Sequence, residues 1–469
     1  MSQGFLALIF SDLHLGEEDS IFMQIHPKAG VNRSYLKALY QHLSGQLNGQ
    51  GVPYLILAGD ALDLSLARRR EAFPAFKVFL EEMKDLFHKA LIYLPGNHDH
   101  HLWVALQEEA LIFQKIRQGQ PVEPYYDALC PRLTEEGLRI PGRKISEPFG
   151  RKTFLYHLLP EDSQDKGCGL LVAYPNLYVE VGEAQVLVTH GHFFEETWTL
   201  FTDVLKKSLA RMGLRRLNFK KLEQINSPFI EFGWYSLGQA GELSRLIERL
   251  WDELHAGGPG PITQGILEDL LRYLEEKITW KPHPHHGLLG RLEEGLANLK
   301  ERFFEIGSEV ALRLFLEIAE KVILPALVSE EVAPKGSRLR HAPKILSDPK
   351  SRRRIADYLE MALPAFEGLK ALVFGHTHVP FVQGKIEIDT PSGPREVTCF
   401  NTGGWVTDVY DADHLSTAKP MVFALSAQGI RPLDVPWPGY EEFEEVLEGI
   451  KEESEARKRV KELIWKKLS

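Results

Sequence analysis

Apolar residues fall in short runs that stop at polar clusters. Residues 5–10, 54–58, 91–94, 186–189 and 371–374 each have the length of a buried strand, and each is followed closely by Asp, Asn or His. Helical spacing occupies 34–47 and 72–90, between the first three runs. That alternation predicts βαβ units and a mixed or parallel sheet. Residues 171–181 and 185–189, joined around Gly182, read as a hairpin. Residues 397–400 and 422–425 complete a second set of strands.

The pattern changes over 193–364. Strand signals vanish, and apolar residues recur at three- and four-residue steps, as in Leu292, Leu296, Leu299 and Phe303, or Leu314, Ile318 and Val322. Pro and Gly cluster at 257–261 and 281–287, marking breaks between helices. The Glu- and Lys-rich stretch 440–468 reads as an exposed helix. The chain thus divides into an α/β domain in two parts, 1–192 and 365–435, a helical insertion over 193–364, and a helical tail over 436–469.

Composition narrows the class. The 469 residues are 44% hydrophobic and 26% charged, an ordinary soluble balance, with a formal net charge of -10. That charge argues against whole-surface attraction to nucleic acid and leaves local basic patches open. Cys130, Cys168 and Cys399 show no paired spacing, which fits a reducing compartment and excludes a Cys-based zinc site. The N-terminal apolar run leads straight into Asp12, so it reads as a first strand and not as a signal peptide. No run of about 18 apolar residues occurs. The expectation is a cytoplasmic protein, with any membrane contact peripheral.

Five motifs sit at the strand ends: Asp12-Leu13-His14, Gly59-Asp60, Gly96-Asn97-His98-Asp99, His190-Gly191-His192 and Gly375-His376-Thr377-His378. Two divalent metals need roughly four to six ligands each, and imidazole with carboxylate suits Mn, Fe, Zn, Co or Ni better than Mg or Ca. A bridging carboxylate holds such a pair about 3.5–4 Å apart. Residues at i and i+2 of an extended segment point the same way, so Asp12 with His14, and His376 with His378, converge. The glycines before Asp60, Asn97 and His376 let the backbone turn sharply out of its strand. Each motif alone is weak. Five together, all ending apolar strands, point to a dinuclear metal centre.

The order D-x-H, GD, GNHD, HGH and GHTH resembles the calcineurin-like metallophosphoesterase superfamily over about 1–192 and 365–430. The resemblance implies a four-layer α/β/β/α sandwich with the metals at the C-terminal strand ends. It places Asp12, His14 and His378 on one metal and Asn97, His190 and His376 on the other, with Asp60 bridging, manganese being the first expectation. It makes His98 the catalytic acid and Asp63 the carboxylate that orients it. In the Ser/Thr protein phosphatases an Arg follows that Asp, whereas Leu64 stands here, which weighs against a protein phosphatase. The expected chemistry is hydrolysis of a phosphodiester or pyrophosphate by metal-bound hydroxide, with His98 protonating the leaving oxygen. His192 is the alternative to His190 as ligand. Asp99 and His100 are expected to cap the following helix or face solvent. The turn from Asn401 to Trp405, after Cys399, either rims the site or is a tight hairpin. His283, His285 and His286 read as a solvated loop.

The insertion bears on substrate. Lys206, Lys207, Arg211, Arg215, Arg216, Lys220 and Lys221 have no acidic residue among them, and a second basic run extends over 338–354. In an acidic protein such patches suggest an anionic partner: phosphate, lipid headgroup or polynucleotide. Arg215 and Arg216 are the candidate substrate contacts, on a lid over the metals. The insertion's position, with the later Asn-Thr-Gly-Gly-Trp, is similar to the UDP-2,3-diacylglucosamine pyrophosphatases. Those enzymes have a smaller cap, and Arg where His98 stands. A lipid-linked or nucleotide substrate is therefore the first expectation and DNA cleavage by a nuclease the alternative. A non-catalytic scaffold is disfavoured because every ligand position is filled.

Overall fold

The computed structural model describes residues 4–25, 30–65, 67, 69–122, 128–140, 153–195, 197–199, 202, 217–231, 235, 346, 348–411, 414–417, 419–450 and 453–468. The chain divides into two compact units. One comprises Met1–Thr199, Arg216–Gln239 and Leu339–Ser469, the other Leu200–Arg215 and Ala240–Arg338. Apart from Thr202, every described residue belongs to the first unit. The apolar repeats between 292 and 322, the breaks at 257–261 and 281–287, the histidines at 283, 285 and 286, and Arg215 and Arg216 lie outside the described residues.

Two mixed sheets organise the first unit. One has the order β15(Gly429–Leu433)-β14(Val422–Ser426)-β1(Ala7–Phe10)-β2(Val52–Ala58)-β3(Phe87–Leu94)-β6(Gly169–Val172). Its strands from β1 to β6 are parallel, and β14 and β15 run antiparallel at one edge. The other has the order β10(Phe381–Thr390)-β11(Gly393–Asn401)-β9(Ala371–Phe374)-β8(Ala184–Thr189)-β7(Asn176–Val181)-β4(Arg132–Thr134)-β5(Gly137–Arg139). A two-stranded ribbon, β12(Thr407–Asp411) with β13(His414–Thr417), stands apart.

The unbroken apolar runs follow from burial on both faces. In β1, β2 and β3, the residues Ile9, Ile56 and Ile92 belong to one cluster with Val179, Val186, Val188 and Val373 of the second sheet. Their neighbours Leu8, Leu55 and Leu91 point the other way, into a cluster with Leu36, Leu39 and Leu43 of α1 (Arg33–Gln46) and Phe76, Phe79 and Leu80 of α2 (Arg69–Met83). Leu187, Leu372 and Phe374 share that cluster with Ile355, Tyr358 and Leu359 of the helix Pro349–Ala362. Asn32 caps α1, its side chain accepting from the amide of Tyr35 at 3.1 Å.

Three sequence expectations are corrected. The helix expected over 72–90 ends at Met83, and Phe87 already pairs with Val52 in β3. A non-local strand partner there outweighs the helical spacing. The strand expected over 171–181 is two strands in different sheets, β6 beside β3 and β7 beside β8. Pro175, which has no amide proton to offer a ladder, lies at the crossing. The tail is two helices, Tyr440–Leu447 and Glu453–Leu468, and the second is not exposed: Ala456, Val460 and Ile464 are fully buried. Among the described residues no helix is long and apolar enough to cross a membrane.

Candidate metal centre

The strand-end loops bring the motif residues together through unusual backbone. Asp12, His14, Asp60, His376 and His378 have φ of 53°, 45°, 49°, 66° and 54°. They are five of the seven non-glycine residues with positive φ among those described. Each such residue costs about 1–3 kcal/mol and persists only where its surroundings impose it. The extended i, i+2 geometry expected for Asp12 with His14 and for His376 with His378 is therefore replaced by left-handed turns.

The glycines act mainly by leaving space. Only Gly59 among the three is left-handed, with φ 97°. A Cβ at Gly96 would overlap the carboxylate of Asp60 and the ring of His190, and one at Gly375 would overlap Asp12 and Ser11. At Gly404 a Cβ would lie 2.8 Å from Cγ of His378.

Two groups of donor atoms result, Asp12 with His14 and His378, and Asp60 with His190 and His376, each lying within 4.8 Å of one another. His14 Nε2 faces His378 Nε2 at 3.2 Å, and His378 Nε2 is 3.4 Å from Asp12 Oδ1. His190 Nε2 lies 2.9 Å from Asp60 Oδ2 and 3.1 Å from Asn97 Oδ1. Asp60 Oδ2 is also 4.0 Å from His14 Nε2, between the two groups.

The outer nitrogens are held separately. His190 Nδ1 meets the carbonyl of Ala58 at 3.1 Å, and His14 Nδ1 meets both Asp63 Oδ2 and Glu17 Oε2 at 3.1 Å. Such contacts fix tautomer and ring orientation in metal-binding histidines. His376 Nε2 is buried without a hydrogen bond; Glu195 Oε2 is 3.2 Å away but not aligned to accept one. The donor set, the inward-facing imidazole nitrogens and the glycine cradle fit divalent metal ions of the transition series. His14, Asp63 and His98 form a third close group. There Asp63 Oδ2 contacts Nδ1 of both rings, at 3.1 Å and 2.7 Å, the arrangement of an orienting carboxylate.

Electrostatics follow from these contacts. Burial alone would raise the carboxyls of Asp12, Asp60 and Asp63, but the facing imidazoles hold all three below the usual range, Asp60 and Asp63 well below. Burial alone would lower the imidazoles of His14, His98 and His190. The surrounding carboxylates prevail, leaving His14 well above an ordinary histidine, His98 above it and His190 at about 9. His192 differs: burial and the neighbouring imidazoles push it well down, so it is neutral. Its Nε2 meets the hydroxyl of Tyr174 at 3.2 Å, while His190 is the ring that meets Asp60 and Asn97.

Asp99 and His100 do not face solvent, since both are buried; His100 is the N-cap residue of the helix His101–Gln107, but its side chain makes no capping hydrogen bond. Asp99 accepts from the amides of Gly96, Ala61, Leu62 and Asp60 at 2.6, 2.9, 3.3 and 3.3 Å, and from the hydroxyl of Tyr93. One carboxylate thus ties the Gly-Asp loop to the Gly-Asn-His-Asp loop. Burial, reinforced by the charge of Asp60, raises it to about 6. His100 lies between Glu223 Oε1 at 2.9 Å and Glu231 Oε1 at 2.5 Å.

The Asn401–Trp405 turn rims the site. Asn401 Nδ2 donates to the carbonyl of Gly375 at 2.9 Å, and the Trp405 amide donates to the carbonyl of Asp12 at 3.0 Å. Ser65 and Glu17, which sequence reasoning passed over, also belong here. Ser65 Oγ lies 3.0 Å from Asp63 Oδ1 and 2.7 Å from His98 Nδ1. Their closeness in sequence to Asp63 and His14 was the available signal.

Two mixed sheets whose strand-end loops gather carboxylates and imidazoles define an α/β protein equipped to bind metal. Residues 5–215 match the family model of the calcineurin-like phosphoesterases. Over those residues the chain is similar to that family. A search of curated proteins finds no match.

Proposed function

We propose that this chain is a dinuclear metal-dependent phosphoesterase that cleaves a phosphodiester or pyrophosphate bond. The observation that carries the reading is Asp60, whose Oδ2 lies 2.9 Å from His190 on one side and 4.0 Å from His14 on the other. Asp12, His14 and His378 would hold one ion and Asn97, His190 and His376 the other, with Asp60 shared between them. Two divalent ions in those positions would activate a water for attack and neutralise charge building on phosphorus. His98 serves as general acid. With Nδ1 held by Asp63 at 2.7 Å, the proton it delivers to the leaving oxygen is on Nε2.

The same reading includes the four-layer α/β/β/α arrangement, supported by the alternation of inward and outward apolar residues along β1, β2 and β3. It includes a helical lid between the motifs, with Arg215 and Arg216 contacting a negatively charged, lipid-linked or nucleotide substrate. Metal content of the purified chain, with manganese-supported hydrolysis of bis-p-nitrophenyl phosphate, p-nitrophenyl phosphate, UDP-sugars and single-stranded DNA, tests it. Preference for a diester or UDP-sugar is the expected result, and salt-sensitive cleavage of DNA would move the assignment to a nuclease. A chain that binds no divalent ion and hydrolyses none of them overturns the reading.

A further inference from the structure

The helix Glu453–Leu468 carries two stripes at four-residue spacing. Ala456, Val460 and Ile464 are fully buried in the apolar core. Arg457, Lys461 and Trp465, one residue on, line the adjacent face and meet a single loop. Lys461 Nζ donates to the carbonyls of Glu18, Ser20 at 2.8 Å and Met23 at 3.1 Å. Trp465 Nε1 donates to the carbonyl of Ile21 at 2.8 Å, and Arg457 pairs with Asp19.

That loop follows the Asp12-Leu13-His14 motif and has no regular strand or helix to satisfy its carbonyls. An ammonium with three protons matches these three carbonyls, and an apolar residue in its place would take that partner from Glu18 and Met23, the Ser20 carbonyl keeping the amide of Met23 at 3.0 Å. The loop is tied to the site at three points. Glu17 Oε2 reaches His14 Nδ1 at 3.1 Å, Ser20 Oγ donates to the carbonyl of Leu13 at 2.7 Å, and the Ile21 amide donates to the carbonyl of Trp405 at 2.9 Å.

We propose that the C-terminal helix is a built-in part of the metal centre, with Lys461 as a positioning residue that holds the 17–23 loop and, through Glu17, orients His14. The inference rests on the dinuclear reading above. It implies that the two ions differ in their dependence on the tail, since only one is held by His14.

Manganese titrated by calorimetry into the metal-free full-length chain tests it, together with hydrogen exchange of the amides in 15–25 before metal is added. Lys461→Met is expected to weaken one of two manganese sites by about 10–100-fold, the usual effect of losing a group that orients a ligand, and to leave the other unchanged. The same variant should speed exchange in the loop. Glu17→Gln should weaken the same site with the helix intact, and Trp465→Phe should speed exchange with a smaller loss of affinity. These two carry the test if Lys461→Met does not fold. Arg459→Ala, on the outward face, should change neither. Wild-type chain taking up no manganese overturns the dinuclear reading and this inference with it. Wild type taking up two ions, with Lys461→Met or Glu17→Gln matching it at both sites, overturns this inference alone.

Discussion

The carboxylate of Asp63 stands 2.7 Å from Nδ1 of His98, and this contact fixes the orientation of the His98 ring. Burial alone would strip the proton from that ring. The charge of Asp63 and Asp60, with the Asp63 hydrogen bond, holds the imidazole above its ordinary value. On the function proposed above, an imidazolium oriented in this way would protonate a departing alkoxide or phosphate.

His98→Ala is therefore expected to keep its metals and lose about 10²–10⁴-fold in turnover, the usual size of a general-acid contribution. The loss should shrink for p-nitrophenolate, a leaving group that needs little protonation. Steady-state rates on good and poor leaving groups check this. An equal loss on both would mean that His98 only positions substrate.

Asp60→Asn should lose at least one metal, because with Oδ1 still accepting from the His98 amide, Oδ2, the oxygen between His190 and His14, becomes an amide nitrogen that cannot donate electrons to a cation. Metal analysis after dialysis reads the outcome. Full occupancy with full activity would remove Asp60 from the bridging role.

The metal-free protein should lose stability as pH rises. His190 titrates at about 9 in the folded site, above the ordinary histidine value. Its contribution is fully present below about pH 6.5 and is lost as pH climbs through about 9. His14, also raised, acts in the same direction. The lowered carboxyls of Asp12, Asp60 and Asp63 act oppositely: their contribution is present above the ordinary carboxylate range and disappears on acidification. Metal uptake at neutral pH must then release protons. Thermal melts with and without chelator between pH 6.5 and 9, and calorimetry in buffers of different ionisation enthalpy, check both statements. Uptake without proton release would contradict the charge states derived for His14 and His190.

His100→Ala should be destabilising by about 3–5 kcal/mol, because it leaves buried Glu223 without its cation, while Glu231 keeps His101 Nδ1 at 2.8 Å. The Glu223→Gln, His100→Gln double variant should recover much of that loss. The His100 contribution is present below the ordinary histidine range and is lost as pH rises through about 10. Denaturant unfolding at pH 6 and pH 9 measures it, and a wild-type stability independent of His100 would show the pair to be inert.

Charge reversal at Arg215 and Arg216 should raise KM for a large anionic substrate and leave a small chromogenic diester nearly untouched. Paired kinetics on the two substrates separate a substrate contact from a structural patch, which would lower both.

The candidate metal-binding residues and most of the framework were legible in the amino-acid order. Apolar runs that end in Asp, Asn or His announce strands buried on both faces, and imidazoles with carboxylates at five such ends leave few alternatives to a metal centre. Periodicity reports that a residue is buried but not what buries it, and there the tertiary structure decided. Residues 171–181 read as one strand because β6 and β7 are both apolar, yet each pairs in a different sheet. The 72–90 helix stops at Met83 because β2 supplies a ladder to Phe87. Asp99 and His100 read as helix caps or solvent-facing residues, and for His100 the reason is a distant partner, Glu223 being 123 positions away. Lys461 read as one more lysine on an exposed helix until the fold brought the carbonyls of Glu18, Ser20 and Met23 to its amine. Even the convergence of Asp12 with His14 came from left-handed backbone that only the packed neighbours could impose.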